Sequence, residues 1–166
     1  LANKEEYLQK IRRTIDAARA NTIPVIYAVV GFRPNIPEFT PRSKGLRTLR
    51  DIGVADALVN PLPVLPLTET DVVVTRRRVS AFAGSDLEIL LRSNNIDHLV
   101  LTGISTSGVV LSTVCEAIDK DYRLTVLSDL CADRNEDVHR ILIEKVFPRR
   151  TDVLSSTEWL SQLPSA

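Results

Sequence analysis

The sequence predicts one α/β domain of three layers, α/β/α, built on a parallel sheet. Three observations predict it. Short apolar runs rich in β-branched residues lack the polar alternation of a half-exposed strand and so suit strands covered on both faces. Stretches with apolar residues at helical spacing stand between them. The two kinds of segment alternate along the chain, the pattern of a parallel sheet with helices on both sides. At 166 residues the chain is long enough to bury a core, and nothing in its composition divides it, so 1–166 reads as a single domain.

The chain opens with Tyr7, Leu8, Ile11, Ile15 and Ala18 at helical spacing, while Lys10, Arg12, Arg13 and Asp16 fall elsewhere. This predicts an amphipathic helix from Glu5 to Ala20. The apolar run Ile23 to Val30 predicts a buried parallel strand. From Gly31 to Pro66 the prolines Pro34, Pro37, Pro41, Pro61, Pro63 and Pro66 favour an irregular excursion with one short helix near Leu46 to Val54. Asp71 to Thr75 and His98 to Thr102 read as strands flanking a helix that Ser85 caps, through Leu87, Ile89, Leu90 and Leu91. A helix from Gly108 to Lys120, a strand from Arg123 to Ser128 and a helix from Glu136 to Val146 follow. Thr151 to Leu154 is a final strand, and Ser156 caps a last turn through Trp159 and Leu160. The chain has no internal repeat.

Lys plus Arg and Asp plus Glu each number 21, so no global field recruits nucleic acid or an anionic membrane, and the expected partner is a small molecule. No apolar run approaches the ~20 residues that span a bilayer. The two cysteines, Cys115 and Cys131, have no CxxC or Cys/His metal spacing, and His98 and His139 stand apart from other ligand types. No metal and no cofactor is expected, and a reducing, cytoplasmic setting fits. The sequence contains no methionine, so Leu1 is not a retained initiator, and residues upstream of it are expected.

In a parallel sheet with helices on both faces, ligands bind outside the carboxyl ends of the strands. The segments to inspect are therefore Gly31 to Pro34, Arg76 to Phe82, Gly103 to Val109 and Asp129 to Asp133. Gly103-Ile104-Ser105-Thr106-Ser107-Gly108 joins a strand to a helix, where backbone amides can receive an anion; equally, small residues there let helix and strand pack closely. Arg76-Arg77-Arg78 must point in different directions on an extended chain, so at most one or two face a pocket. Cys131 follows a predicted strand end without a neighbouring histidine to act as base, and Cys115 reads as core.

Taken in order, Arg76-x-x-x-Ser80-Ala81-Phe82, Gly84-Ser85-x-Leu87, Leu99-Val100-Leu101-Thr102-Gly103-Ile104-Ser105-Thr106 and Tyr122 to Asp129 resemble the isochorismatase-like hydrolases, a cysteine hydrolase family that includes nicotinamidases. The resemblance runs from Asp16 to Leu160. It implies a Rossmann-like parallel sheet, oligomerisation, and a catalytic triad of Asp, Lys and Cys in which the cation favours a thiolate, the aspartate handles protons and amides hold the oxyanion. Arg76 stands at the lysine position and Val109 at the cysteine position. By the same resemblance the aspartate belongs to a first, central strand between those of Ile23 to Val30 and His98 to Thr102, and that strand is missing from this chain. Gly31-Phe32-Arg33-Pro34 replaces the Asp-x-His metal pattern of nicotinamidases.

The expected function is hydrolysis of a small molecule without a cysteine nucleophile. The alternative is an inactive family member, a pseudoenzyme that binds a small anion or serves as an oligomer subunit. Arg76 and Val109 are the catalytic-position candidates, and Ser105, Thr106, Ser107, Gly108, Phe32 and Arg33 the binding candidates.

Overall fold

The computed structural model describes residues 4–53, 56–59, 63 and 65–164. Its elements in chain order are α1 (Lys4–Ala20), β1 (Ile26–Val30), α2 (Lys44–Asp51), a 3-10 turn (Asp56–Leu58), β2 (Val72–Arg76), α3 (Leu87–Ser93), β3 (His98–Ile104), a π-helical turn (Thr106–Val110) and α4 (Leu111–Asp119). They continue with β4 (Arg123–Ala132), α5 (Glu136–Ile141), a second π-helical turn (Leu142–Val146), a 3-10 turn (Phe147–Arg149), β5 (Asp152–Leu154) and α6 (Ser156–Ser161). The predicted strands and helices thus form where local pattern placed them, with shifted ends. The predicted helix over Leu46 to Val54 begins earlier, at Lys44, because Ser43 caps it by accepting from the Leu46 amide; Val54 and Pro61 lie outside the described residues. Ser155, not Ser156, caps the last helix, through a capping box with Glu158.

The strands pair in parallel but as two sheets, β1-β2 and β3-β4-β5. Ile26 to Val30 run opposite Val72 to Arg76. Leu101 stands opposite Val126 but Gly103 opposite Cys131, so β4 takes up extra residues in a bulge. It therefore runs four residues beyond the predicted Ser128, and Cys131 lies inside the strand rather than past its end.

Two apolar clusters lie on the two faces. On one, α3, α4 and the 142–149 segment cover the sheets through Leu91, Val114, Ala117, Val126, Leu142 and Phe147. On the other, α1 and α6 pack through Ile11, Ala18, Leu127, Leu130 and Trp159. Alternating side chains explain the division, since Val126 faces one cluster and Leu127 the other.

Between β1 and β3 lies a cavity of about 460 Å³. Ile26, Tyr27 and Ala28 of β1 form one wall and His98 to Ile104 of β3 the other; α1 covers it with Ile11, Thr14, Ile15 and Ala18, and Leu87, Leu91 and Val110 close the opposite face. The cavity explains a departure from expectation: no residue of β1 is buried, although its composition is that of a strand covered on both faces.

The helix α1 bridges both sheets. The Tyr7 hydroxyl donates to the Leu130 carbonyl at 3.1 Å, and the Arg19 guanidinium grips Asp71 ahead of β2 with Nη2–Oδ2 2.5 Å and Nε–Oδ1 3.3 Å. The Thr68 amide adds a third bond to Asp71 at 2.8 Å. The Arg19 contact holds the Asp71 carboxyl below its ordinary pKa. A depressed native pKa contributes stability that is complete above the unfolded carboxylate value of about 4 and lost as pH falls through the lower native value. Asp71→Asn is therefore expected to lower stability by about 1–3 kcal/mol at pH 7, with the gap to wild type narrowing below about pH 4. Urea midpoints measured at pH 7 and pH 3 check both expectations.

Candidate active site at the cavity mouth

Arg76 is the last residue of β2, and Val109 sits in the π-helical turn after β3; both line the same cavity. The two catalytic-position candidates, 33 positions apart in sequence, are thus brought together beside the C-terminal residues of β3, Gly103 and Ile104. A buried hydrogen bond, Ala81 N to Thr113 Oγ1 at 2.9 Å, fixes the loop after β2 to α4 and so sets the spacing of the pair.

The three arginines divide as strand geometry requires. Arg76 faces the cavity. Its Nη1 turns back to donate to the Arg78 carbonyl at 2.6 Å, while its Nε is buried without a hydrogen-bond partner, and burial lowers its pKa. Arg77 donates to the Gly31 carbonyl at 2.6 Å, a fold-back permitted by Gly84, where a Cβ would stand 2.8 Å from Arg77 Cβ. Arg78 donates to the Glu38 carbonyl at 3.2 Å.

The turn after β3 lies beside the cavity but differs from an open cradle of amides. The Ile104–Ser105 peptide is cis. The Gly108 and Val110 amides both donate to the Ser105 carbonyl, at 3.2 and 3.3 Å. Ser107 gives its amide and its hydroxyl to one Asp133 oxygen, at 2.7 and 2.6 Å. The anion at this helix start is thus a side chain of the protein itself. Burial opposes charge on Asp133, yet the Ser107 bonds and the backbone amides of Asn135 and Arg134 hold its pKa below the ordinary carboxylate value. Thr106 is fully buried, its hydroxyl 2.8 Å from His139 Nδ1. Gly108 lies close to Ser105: a Cβ there would stand 2.4 Å from Ser105 Oγ, so the serine hydroxyl would have to turn away. Of the expected binding residues in this turn, Ser105, Thr106, Ser107 and Gly108 hold the turn's own shape, and it is Val109 and Val110 that line the cavity.

Phe32 and Arg33 are not brought to the cavity. Phe32 is 1% exposed, with its amide bonded to the Leu58 carbonyl, and Arg33 pairs with Glu38 in the loop beyond. Asp129, at another strand end, accepts from the Ser156 amide and hydroxyl, each at 2.7 Å. Cys131 is buried, and burial pushes its thiol up to about 12. Neither it nor Cys115 lines the cavity. Asp133, as the partner of Ser107, was invisible in sequence: 26 positions separate them, and no local pattern links them.

The isochorismatase domain matches residues 1–158. The chain belongs to the isochorismatase family. It is 29% identical to the N-carbamoylsarcosine amidase of Arthrobacter sp, over 96% of this chain and 63% of that protein. It is 36% identical to the uncharacterized isochorismatase family protein YecD of Escherichia coli O157:H7, over 60% of this chain and 53% of that protein. The chain thus spans between half and two thirds of the length of these curated relatives. Among solved structures, an isochorismatase family protein from Burkholderia thailandensis superposes with a TM-score of 0.81 at 27% identity, covering 93% of this chain and 81% of that one. The N-carbamoylsarcosine amidase from Thermoplasma acidophilum superposes at 0.70 with 25% identity, covering 90% and 82%. The isochorismatase family chain therefore has the α/β fold that its strand and helix alternation predicts. No helix among its described residues is long and apolar enough to cross a membrane.

Proposed function

We propose that this isochorismatase family chain carries a small-molecule hydrolase site at the mouth of the cavity between β1 and β3, and that the site works without a cysteine nucleophile. The observation that carries this reading is the meeting of Arg76 and Val109 in one cavity at the strand ends. Valine has no nucleophilic atom, and neither thiol of the chain lines the cavity. The relatives' names supply the bond classes to try: amidohydrolases of maleamate and ureidoacrylate, and an isochorismatase of Bacillus subtilis at 31% identity over 98 residues. Without a thiol, the route left for a carbonyl substrate is direct attack of water, the carbonyl π electrons moving onto oxygen with the Arg76 guanidinium stabilising the negative charge that develops there; an enol ether instead requires protonation at carbon by an acid before water adds.

The body of the cavity is the place of an extended segment. Among the described residues, two strand edges without a partner on this side face one another across it, and apolar side chains close it above and below. Unpaired edges in an apolar setting are costly, and a strand parallel to both satisfies them.

A second reading is a non-catalytic family member that binds an anion or serves as an oligomer subunit. The amides of Ser107, Gly108 and Val110 are already engaged, which weakens the turn after β3 as an oxyanion receiver and so favours this reading over catalysis there.

Hydrolysis of simple amides, ureido acids and enol ethers, followed before and after treatment with iodoacetamide, tests the first reading. Activity unchanged by alkylation is expected, because Cys131 is buried with its thiol pKa near 12 and alkylation requires the thiolate. Loss of activity on modification of Cys131 would make that residue the nucleophile. No hydrolysis in any class favours the second reading.

A further inference from the structure

We infer that Glu38 is a positioning residue for Arg76: by holding Arg77 and Arg78 it fixes the backbone carbonyl on which the Arg76 guanidinium is oriented. Three adjacent guanidiniums repel one another, and among the described residues Glu38 is the only carboxylate that pairs with any of them. Its side chain is 10% exposed. One carboxylate oxygen meets Arg33 Nη1 and stands 3.8 Å from Arg77 Nε, and the other accepts from the Arg33 amide at 3.3 Å. The Glu38 carbonyl accepts from Arg78 Nη2 at 3.2 Å, across 40 positions of sequence. Burial opposes charge on Glu38, but backbone amides of its own turn and the Arg33 guanidinium hold its pKa below the ordinary carboxylate value.

The turn that delivers Glu38 is strained. Asn35 and Ile36 have φ of 64° and 46°, a region that a β-branched residue enters rarely and at a cost. The Ile36 amide bonded to the Arg33 carbonyl at 2.9 Å, and the carboxylate bonded back to Arg33, close that turn. Arg77 is held from two sides, its amide on the Ala83 carbonyl at 2.9 Å and its Nη1 on the Gly31 carbonyl at 2.6 Å. Residues 77 and 78 thus lie clamped between the 31–38 turn and the loop after β2, and the Arg78 carbonyl meets Arg76 Nη1 at 2.6 Å. Without the Glu38 carboxylate the repulsion within the triplet is uncompensated and that carbonyl is no longer fixed. The inference rests on Arg76 as the cation of the proposed site, but it concerns only how that side chain is held.

The test is Glu38→Gln in the full chain, with the Nε–H resonances of Arg76, Arg77 and Arg19 followed in ¹⁵N spectra and hydrolysis measured alongside. The Arg77 and Arg76 signals are expected to shift together, and the buried Arg76 Nε–H to exchange with water about tenfold faster or more as its setting loosens. Arg19, whose Nε donates to Asp71 at 3.3 Å, is the control and should not move. Glu38→Asp keeps the charge on a side chain one methylene shorter, and should shift Arg76 in the same direction by less. If Glu38→Gln does not fold, the Glu38→Asp comparison decides by the same signals. An unmoved Arg76 signal, or an Arg19 signal that moves as much as that of Arg76, overturns the inference, the second because it marks general loosening. Absence of hydrolysis by wild type would count against the proposed reaction alone, since the Nε–H signals are read without turnover.

Discussion

A short strand fused ahead of α1 is expected to stabilise the chain strongly. The segment has five to seven β-branched residues, the span of β1 and of β3, joined to α1 by a short linker. A right-handed crossover through α1 then lays it parallel to β1, inside the cavity that α1 already covers. Each Val or Ile side chain taken out of water contributes about 1.5–3 kcal/mol, and hydrogen bonds to two strand edges about 1 kcal/mol each. Ordering the segment costs about 1–2 kcal/mol per residue. Because both of its edges and both of its faces are satisfied at once, burial wins, and a rise in thermal midpoint of about 5 °C or more is expected. The control carries proline at alternate positions, which removes backbone donors. Equal effects of the two fusions, or none from either, would show that the cavity does not take a strand.

The second large effect concerns chemistry. Val109→Cys with Arg76→Lys restores a thiol and a lysine at one cavity, but not a carboxylate to move the proton. This double variant of the chain is expected to be alkylated faster than wild type yet to hydrolyse simple amides no better. In the fused form, a segment ending in Asp should surpass the same segment ending in Asn by about 10²-fold or more, the usual scale of a positioned acid–base group. Single-turnover assays on a chromogenic anilide read the difference. Equal rates with Asp and Asn would mean that a carboxylate already present does the work. The carboxylates at nearby strand ends are poorly placed for it: Asp133 is bound to Ser107 and Asp129 to Ser156.

Much of the fold was legible without coordinates. The strands at 72–76, 98–104 and 123–132 are runs of β-branched and aliphatic residues, and the helices between them carry apolar side chains at a spacing that only a helix brings onto one face. The ends were less legible. The extra length of β4 comes from a bulge against β3, a matter of pairing between strands. Of the candidate site, the sequence pointed to segments at the strand ends, and the structure places Arg76 and Val109 at one cavity and the other candidates elsewhere. Phe32 was expected to bind and is buried instead, and the small residues of 105–108 were expected to receive an anion and mostly bind one another or Asp133. Their types allow either outcome, and the partner that decides lies far along the chain.

By itself, then, the sequence determined the order and kind of the elements, the family, and the lack of a nucleophile at position 109, because these depend on residue identity and on neighbours a few positions apart. The tertiary structure alone decided that Arg76 and Val109 meet at one cavity, that Asp133 closes the turn after β3, and that β1 and β3 stand apart with apolar walls between them. Those outcomes are set by distances between segments remote in sequence, where a hydrogen bond or a buried charge depends on a few tenths of an ångström that no local pattern encodes.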